Sequence, residues 1–461
     1  MTISVVVPQE MAEEIHSVAR LSTETAGVML AGVARSPNGD VRLLARCMRW
    51  VEESAYIRRE WDGLTIRSEG YVPALAEAES LGAVCIWVHT HPGYDASPRP
   101  SEHDRIVDSQ IADLFRIRSG SPYYGALIFV TRSSDLAFTG HLQYEGCDVK
   151  KIERLWQVGD RWHLIRAFDS ALPQLSVMFD RNVRAFGAAI QQTLGDLRVG
   201  VVGCGGTGSA TAEQLVRLGV RHFILIDPDK LSQSNLTRVY GSGVSDVGQP
   251  KVQVVARHLA SIAADVCCET VQSMLTLELV ARRLIGCDIV FGCTDDNAGR
   301  LVLSRLATYL LTPVIDCGVL LSSDGVGELT GIDGRVTILS PGQACLICRG
   351  RIDLRRAGAE LLTPDERIRR EDEGYAPALA RIEPAVVTYT TLVAATAVSE
   401  LLERLIGYGP TPRPSEVLLR CHEREISTNL AFPTEGHYCH PSSRKLGVGD
   451  TQPFLEQTWP T

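Results

Sequence analysis

The chain has 461 residues, 45% of them apolar and 22% charged, so it exceeds one ordinary core and implies two to three domains. The balance of 46 Lys+Arg against 55 Asp+Glu, a net charge of −9, disfavours a dedicated nucleic-acid binder. No apolar run reaches ~18 residues and Met1-Thr2-Ile3-Ser4-Val5 carries no basic-then-apolar leader, so neither a membrane span nor secretion is expected. A cytoplasmic, reducing setting follows, in which the 13 cysteines serve as core residues, metal ligands or nucleophiles rather than disulfides.

Residues 1–147 mix short strand-like runs (Val41–Leu44, Val84–Val88, Ala126–Val130) with helical patterns (Gln9–Leu21, Ser101–Phe115), which predicts a first α/β domain. Within it, Val84-Cys-Ile-Trp-Val-His89-Thr-His91-Pro92 reads as a buried strand. Residues two apart on a strand share a face, so His89 and His91 can share one metal ion. Pro92 ends the strand, and Ser101-x-x-Asp104 opens a helix that can return a carboxylate as third ligand. Two imidazoles and a carboxylate with an open fourth position describe a catalytic zinc site. Ser-x-x-Asp is also an ordinary helix-capping pattern, and an H-x-H pair alone is weak evidence. The ordered set resembles the JAB/MPN (JAMM) metallopeptidase motif, and Glu24-Thr-Ala-Gly27 matches that family's upstream glutamate. The resemblance implies Glu24 as general base and Ser101 as a partner of the substrate carbonyl. The gap from Pro92 to Ser101 is longer than that family's motif, which alters loop-borne contacts more than zinc binding.

Residues 148–175 read as a connector with little to bury, and 176–431 as a second α/β domain with a parallel sheet. Leu197–Val202 is a strand; Gly203, Gly205, Gly206 and Gly208 form a turn; a helix runs on to Leu218. Glycines there bring backbone N–H groups close to phosphates at a helix N-terminus, and Asp227 ends the next strand where ribose hydroxyls would lie. Taken alone this is a dinucleotide fingerprint, and an NAD-dependent dehydrogenase follows from it. The residues downstream point elsewhere: Asp229, Asn235, Arg238, Lys251 and Asp295 supply the charged and polar groups that a triphosphate and Mg²⁺ need. Their order and spacing resemble the ThiF/MoeB adenylating enzymes and the adenylation core of ubiquitin-activating enzymes. That resemblance implies a Rossmann-like fold and ATP as cofactor. Asp227 is then on the ribose, Asn235, Arg238 and Lys251 on the phosphates, and Asp295 on magnesium. It also implies a homodimer in which Arg181 reaches the partner subunit's ATP. Asp296 stands where the family often has Asn.

Cys345-Leu-Ile-Cys348 has metal-clip spacing. Related proteins pair it with a second C-x-x-C; here the tail, 432–461, offers Gly436-His437-Tyr-Cys439-His440, with glycine in place of the first cysteine. A structural zinc on Cys345, Cys348, Cys439 and either His437 or His440 is one reading, and a metal-free remnant the other. Arg349–Arg420 contains no cysteine for a thioester; Cys317 reads as core and Cys421 as a weak candidate. The two resemblances imply one substrate: a ubiquitin-like protein, cut after its C-terminal glycine by the first half and adenylated there by the second. A conjugating enzyme or a sulfur donor would then receive it. The alternatives are a metabolic sulfur-carrier activator and a non-catalytic scaffold.

Overall fold

The computed structural model describes residues 2–93, 96–132, 135–144, 149–171, 174–324, 328–362, 366 and 385–460. Two units emerge: Met1–Leu172 with Tyr309–Leu311 and Leu446–Thr451, and Pro173–Thr308 with Thr312–Lys445 and Gln452–Thr461. Among the described residues, no helix is long and apolar enough to cross a membrane.

In the first unit the strands are β1 (Ile3–Pro8), β2 (Ala26–Arg35), β3 (Val41–Trp50), β4 (Tyr56–Arg59), β5 (Leu64–Ile66), β6 (Val84–Thr90), β7 (Tyr123–Arg132), β8 (Asp135–Tyr144), β9 (Lys150–Lys151), β10 (Arg154–Val158) and β11 (His163–Arg166). Nine of them form a mixed sheet in the order β11-β10-β1-β3-β2-β6-β7-β8-β9, while β4 and β5 make a separate hairpin. Helix α1 (Gln9–Val18) packs on one face, and α2 (Val72–Leu81) and α3 (Glu102–Ser119) pack on the other. Strand alternation sorts β6 between the two cores. Val84, Ile86 and Val88 join Met11 and Ile15 of α1; Cys85 and Trp87 join Leu75 of α2 and Phe115 of α3. His89 continues the second series, which aims it at the α3 side.

The connector expected over 148–175 is instead part of this sheet. β10 runs parallel to β1, and Leu155, Trp156 and Trp162 are buried. A parallel neighbour more than a hundred residues away leaves no local mark on strands this short.

The second unit holds β12 (Arg198–Val202), β13 (His222–Ile226), β14 (Cys267–Val271), β15 (Ile289–Gly292), β16 (Val314–Ser323), β17 (Leu329–Leu339), β18 (Glu416–Arg420) and β19 (Glu425–Asn429). Their order is β14-β13-β12-β15-β16-β17-β18-β19. The first five are parallel, as expected; β17, β18 and β19 continue the sheet antiparallel, an extension the sequence pattern did not suggest. Helices α4 (Asp180–Phe186), α5 (Ala188–Asp196), α6 (Gly206–Leu218), α7 (Lys251–Ile262), α8 (Glu278–Ala281), α9 (Asn297–Tyr309), α10 (Leu354–Glu360) and α11 (Val387–Ile406) accompany it. β12 has β13 on one side and β15 on the other, so chain direction switches at its C-terminal end, the place where open α/β sheets bind ligands. The tail is not loose throughout: Cys439, Phe454 and Leu455 are buried in the second unit, and Gly449 bridges to Val33 within the first.

Candidate metal and nucleotide sites

β2 and β6 are antiparallel with Ala26 opposite His89, and the Thr90 amide donates to the Thr25 carbonyl at 3.0 Å. This register sets Glu24, two residues before Ala26, beside His91. α3 then delivers the carboxylate. Ser101 caps it, accepting from the Asp104 amide at 3.1 Å, while Asp104 Oδ2 accepts from the Ser101 amide at 2.7 Å. The capping box thus pins the side chain that faces the histidines. His89 Nε2 lies 3.3 Å from Asp104 Oδ1, and His91 Nε2 lies 3.5 Å from Oδ2. His91 Nδ1 donates to the Ser97 carbonyl at 2.8 Å, which leaves Nε2 with its lone pair toward Asp104.

His89 is buried, and neither ring nitrogen has an aligned hydrogen bond among the described residues. Buried polar atoms rarely go unpartnered. Together with the two-imidazole, one-carboxylate donor set, gathered within 4.8 Å, that fits a zinc ion. Burial opposes ionisation of Asp104, but the facing His89 and His91 rings overcome it and hold the carboxyl well below its usual range. Glu24 is buried and its carboxyl is pushed up to about 7, mainly by desolvation and against the pull of His91. The surrounding cleft, about 1070 Å³, is also walled by the β4–β5 hairpin. The hairpin pins Glu24: its amide donates to the Glu60 carbonyl at 2.7 Å, and Arg59 Nε donates to its carbonyl at 3.2 Å. Sequence reasoning missed this hairpin because Tyr56–Ile66 is densely charged and reads as a loop. It also missed Asp108, one turn beyond Asp104, which accepts from Tyr124 Oη at 2.5 Å and faces His141 Nε2 at 3.0 Å in the same cleft.

The second unit has a cleft of about 1130 Å³ at the C-terminal ends of β12, β13, β15 and β16. Gly203, at φ +89°, would bring a Cβ within 2.5 Å of the Cys293 carbonyl oxygen, so only glycine makes this turn. Gly203, Gly205 and Gly206 line the cleft; Gly208 does not, and its role is packing, since a Cβ there would overlap the Gly203 carbonyl oxygen at 1.7 Å. Asp227 is buried, with Oδ2 accepting from the Cys204 amide at 2.6 Å and Oδ1 from the Asp229 amide at 2.8 Å. Desolvation raises its pKa against the pull of Lys251. Lys251 Nζ lies 2.7 Å from Asp229 Oδ2 and 4.0 Å from Asp227 Oδ1. Arg238, half-buried, and Asp295, exposed, line the same cleft. Asn235 is buried and is not among the lining residues; its Oδ1 accepts from the Ser232 amide at 3.1 Å. Arg181 lies exposed on α4 and does not line the cleft either. Asp296 caps α9, accepting from the Gly299 amide and the Thr294 hydroxyl, a role its carboxylate fills as well as an amide oxygen would.

Cys345, Cys348, His437 and Cys439 converge, and His440 instead bonds Ser442 Oγ at 2.6 Å. Cys348 Sγ to Cys439 Sγ is 3.6 Å, and His437 Nδ1 lies 3.5, 3.4 and 3.2 Å from Cys345, Cys348 and Cys439. Tetrahedral zinc bonds of about 2.3 Å to sulfur and 2.0 Å to nitrogen imply edges of about 3.5–3.8 Å, so the four donors fit such an ion. Cys439→Ser should therefore lower the metal content of the full chain by about one zinc, as expected for a closed four-ligand site. Unchanged metal content would exclude this cluster as a zinc site.

Cys317 is buried, and its thiol pKa is raised by its hydrogen bond with Cys293 and by burial, which suits neither a thiolate nor a nucleophile. Cys421 sits in the turn between β18 and β19. Residues 363–365 and 367–384 of the cysteine-free stretch lie outside the described residues.

The ThiF family model matches residues 179–436. The chain is 31% identical over 160 residues to the sulfur carrier protein ThiS adenylyltransferase of Escherichia coli (strain K12), covering 34% of this chain and 60% of that one. It is 30% identical over 183 residues to the molybdopterin-synthase adenylyltransferase of the same organism, covering 39% and 70%. It is 30% identical over 167 residues to ubiquitin-like modifier-activating enzyme 5 of Oryza sativa subsp. japonica, covering 33% and 38%.

Proposed function

Given that the chain belongs to the ThiF family, we propose that it is a bifunctional enzyme acting on the C-terminus of a ubiquitin-like protein. The second unit adenylates the terminal glycine with ATP and Mg²⁺; the first is a JAMM-type zinc metallopeptidase that cuts after that glycine. The observation that carries the adenylation reading is one cleft at the sheet's switch point lined by Gly203, Gly205, Gly206, Asp227, Arg238, Lys251 and Asp295. Arg238 and Lys251 neutralise phosphate charge, Asp295 would hold the magnesium, and Asp227 would meet the ribose. The substrate carboxylate attacks the α-phosphorus, a P–O bond forms, and pyrophosphate departs, leaving an acyl-adenylate. The names of the relatives support a ubiquitin-like or sulfur-carrier protein as substrate. Sulfur-carrier activation is the second reading, since two of those relatives serve such carriers or molybdopterin synthase.

The peptidase reading rests on the convergence of His89, His91, Asp104 and Glu24 in one cleft. Zinc, when bound by the first three, would polarise the scissile carbonyl and acidify water. Glu24 is positioned to take the proton from the attacking water and pass it to the leaving amine. Ser101 lines the cleft near the same point, where its hydroxyl can meet the substrate carbonyl. For the other half, ATP–pyrophosphate exchange that depends on a ubiquitin-like protein is the direct test, and zinc-saturated protein that cleaves no extended precursor refutes this one.

The family resemblance also implies a homodimer with Arg181 acting across it. Mixing Arg181→Ala and Lys251→Ala chains should restore part of the adenylation, because one hybrid site keeps both residues. No rescue despite demonstrated subunit exchange removes Arg181 from the partner's site.

No stable thioester should form, since Cys345 and Cys348 belong to the metal cluster and Arg349–Arg420 holds no cysteine. The acyl-adenylate then passes to an external thiol or sulfide. A thiol-sensitive band at the summed mass on a non-reducing gel, abolished by Cys421→Ala, would make Cys421 the acceptor instead.

A further inference from the structure

The first unit's cleft continues past His89 and His91 toward β8, where a polar group stands among apolar ones. His89 is opposite Ile128 of β7, and Ile128 is opposite Thr139 of β8. His141, two residues on, shares the face of Thr139, and both line the cleft. Trp87, Phe115, Ala126 and Ile128 wall the space between. β2, which Glu24 precedes, flanks β6 on the other side, so His141 and Glu24 border opposite ends of the site.

His141 is held from behind. Its Nε2 lies 3.0 Å from Asp108 Oδ2, and Asp108 Oδ1 accepts from Tyr124 Oη at 2.5 Å. Tyr124 is buried, and its ring stands edge-on to the imidazole with centroids 6.3 Å apart. Both carboxylate oxygens are thus committed, and a carboxylate beside Nε2 keeps the ring proton there. Nδ1 then carries the lone pair. It has no partner among the described residues, and the side chain is 26% exposed in the cleft. The neighbouring Thr139 hydroxyl is spent on the Pro98 carbonyl. Charge does not decide what this spot takes: Arg116 is paired with Asp113, while Arg105 and Asp108, of opposite sign, both line the cleft. A donor is what Nδ1 lacks.

We infer that His141 is a specificity-determining contact of the peptidase, accepting a hydrogen bond from a hydroxyl or amide side chain within the first two residues of the segment cut away. The inference rests on the peptidase reading. Asp108 follows Asp104 by four residues, about 6 Å along a helix. His141 therefore stands about two extended residues from the metal ligands, at about 3.3 Å for each residue. On one side of the scissile bond that reading puts glycine, which has no side chain to offer; the extension beyond it supplies one. Between apolar walls, a side chain of equal shape without the donor leaves Nδ1 dry and unpaired, and so binds more weakly.

The test uses the zinc-loaded full chain carrying Glu24→Gln, so that binding is read without turnover, and fluorescein-labelled octapeptides with Gly-Gly at the centre. Threonine or valine, matched in shape, occupies the first or second position after Gly-Gly; a control pair places them just before it. Polarisation should show threonine favoured about tenfold over valine at one of the two positions after Gly-Gly. Adding His141→Phe should erase that ratio while zinc content is kept, and His141→Leu repeats the comparison if the first variant fails to fold. Equal affinities at both positions, a preference only before Gly-Gly, no binding of any peptide, or a preference that survives the His141 substitutions would overturn the inference. Cleavage by the chain with Glu24 intact is scored separately. The expected binding preference with no cut in any peptide or extended protein would instead refute the peptidase reading beneath it.

Discussion

On the proposed peptidase reading, Glu24→Gln should lower peptide cleavage by about 10²–10⁴-fold, the usual contribution of a general base, with zinc content unchanged. The substitution preserves shape and removes only the ionisable oxygen. Glu24 does not belong to the three-residue donor set of His89, His91 and Asp104, so metal content should not move. Its backbone is held independently of its side chain, through Glu60 and Arg59, so the fold around it should persist. Desolvation, which pushes the Glu24 carboxyl up to about 7, brings it close to the proton affinity a base needs at neutral pH. Cleavage of an extended precursor and zinc content, measured on the same preparation, check the expectation. Undiminished cleavage removes Glu24 from the mechanism; loss of zinc reclassifies it as a ligand or a structural residue.

On the proposed adenylation reading, Lys251→Ala should lower ATP–pyrophosphate exchange by about 10²–10³-fold, the cost of losing one preorganised group aimed at developing charge. Lys251 is buried at the first residue of α7, between Asp227 and Asp229, and among the described residues no other lysine lines the cleft. Removal also leaves the buried Asp227 without the cation that offsets its desolvation. A parallel measurement of ATP affinity separates the two effects. Intact exchange in the variant would refute the adenylation assignment, because charge on the departing pyrophosphate would then be met elsewhere.

His89 and His91 were legible as a pair because an apolar run of fixed period placed them on one face, and the structure aims that face at α3. Asp104 was legible through its capping pattern, which proves to be the device that orients it. The glycine turn and Lys251 were legible for a similar reason: local chain geometry leaves local signals. The misses were nonlocal. β10 owes its existence to a parallel partner at the other end of the unit, and β17 carries Gly331 and Gly334 inside a strand, which read as turn residues. Which histidine completes the cysteine cluster depended on the path of the tail, and only coordinates distinguish His437 from His440. Gly208 packs against the glycine turn and Asn235 closes its own turn through the Ser232 amide, so neither lines the cleft.

The most direct test of two active sites on one chain is the intact mass of a glycine-terminated ubiquitin-like protein bearing a short C-terminal extension. It is incubated with the zinc-loaded chain first alone and then with ATP and Mg²⁺. The account predicts a fall by the mass of the extension, followed by a rise of one adenylate on the exposed glycine. A mass unchanged through both steps, with zinc and ATP shown to be bound, would contradict it.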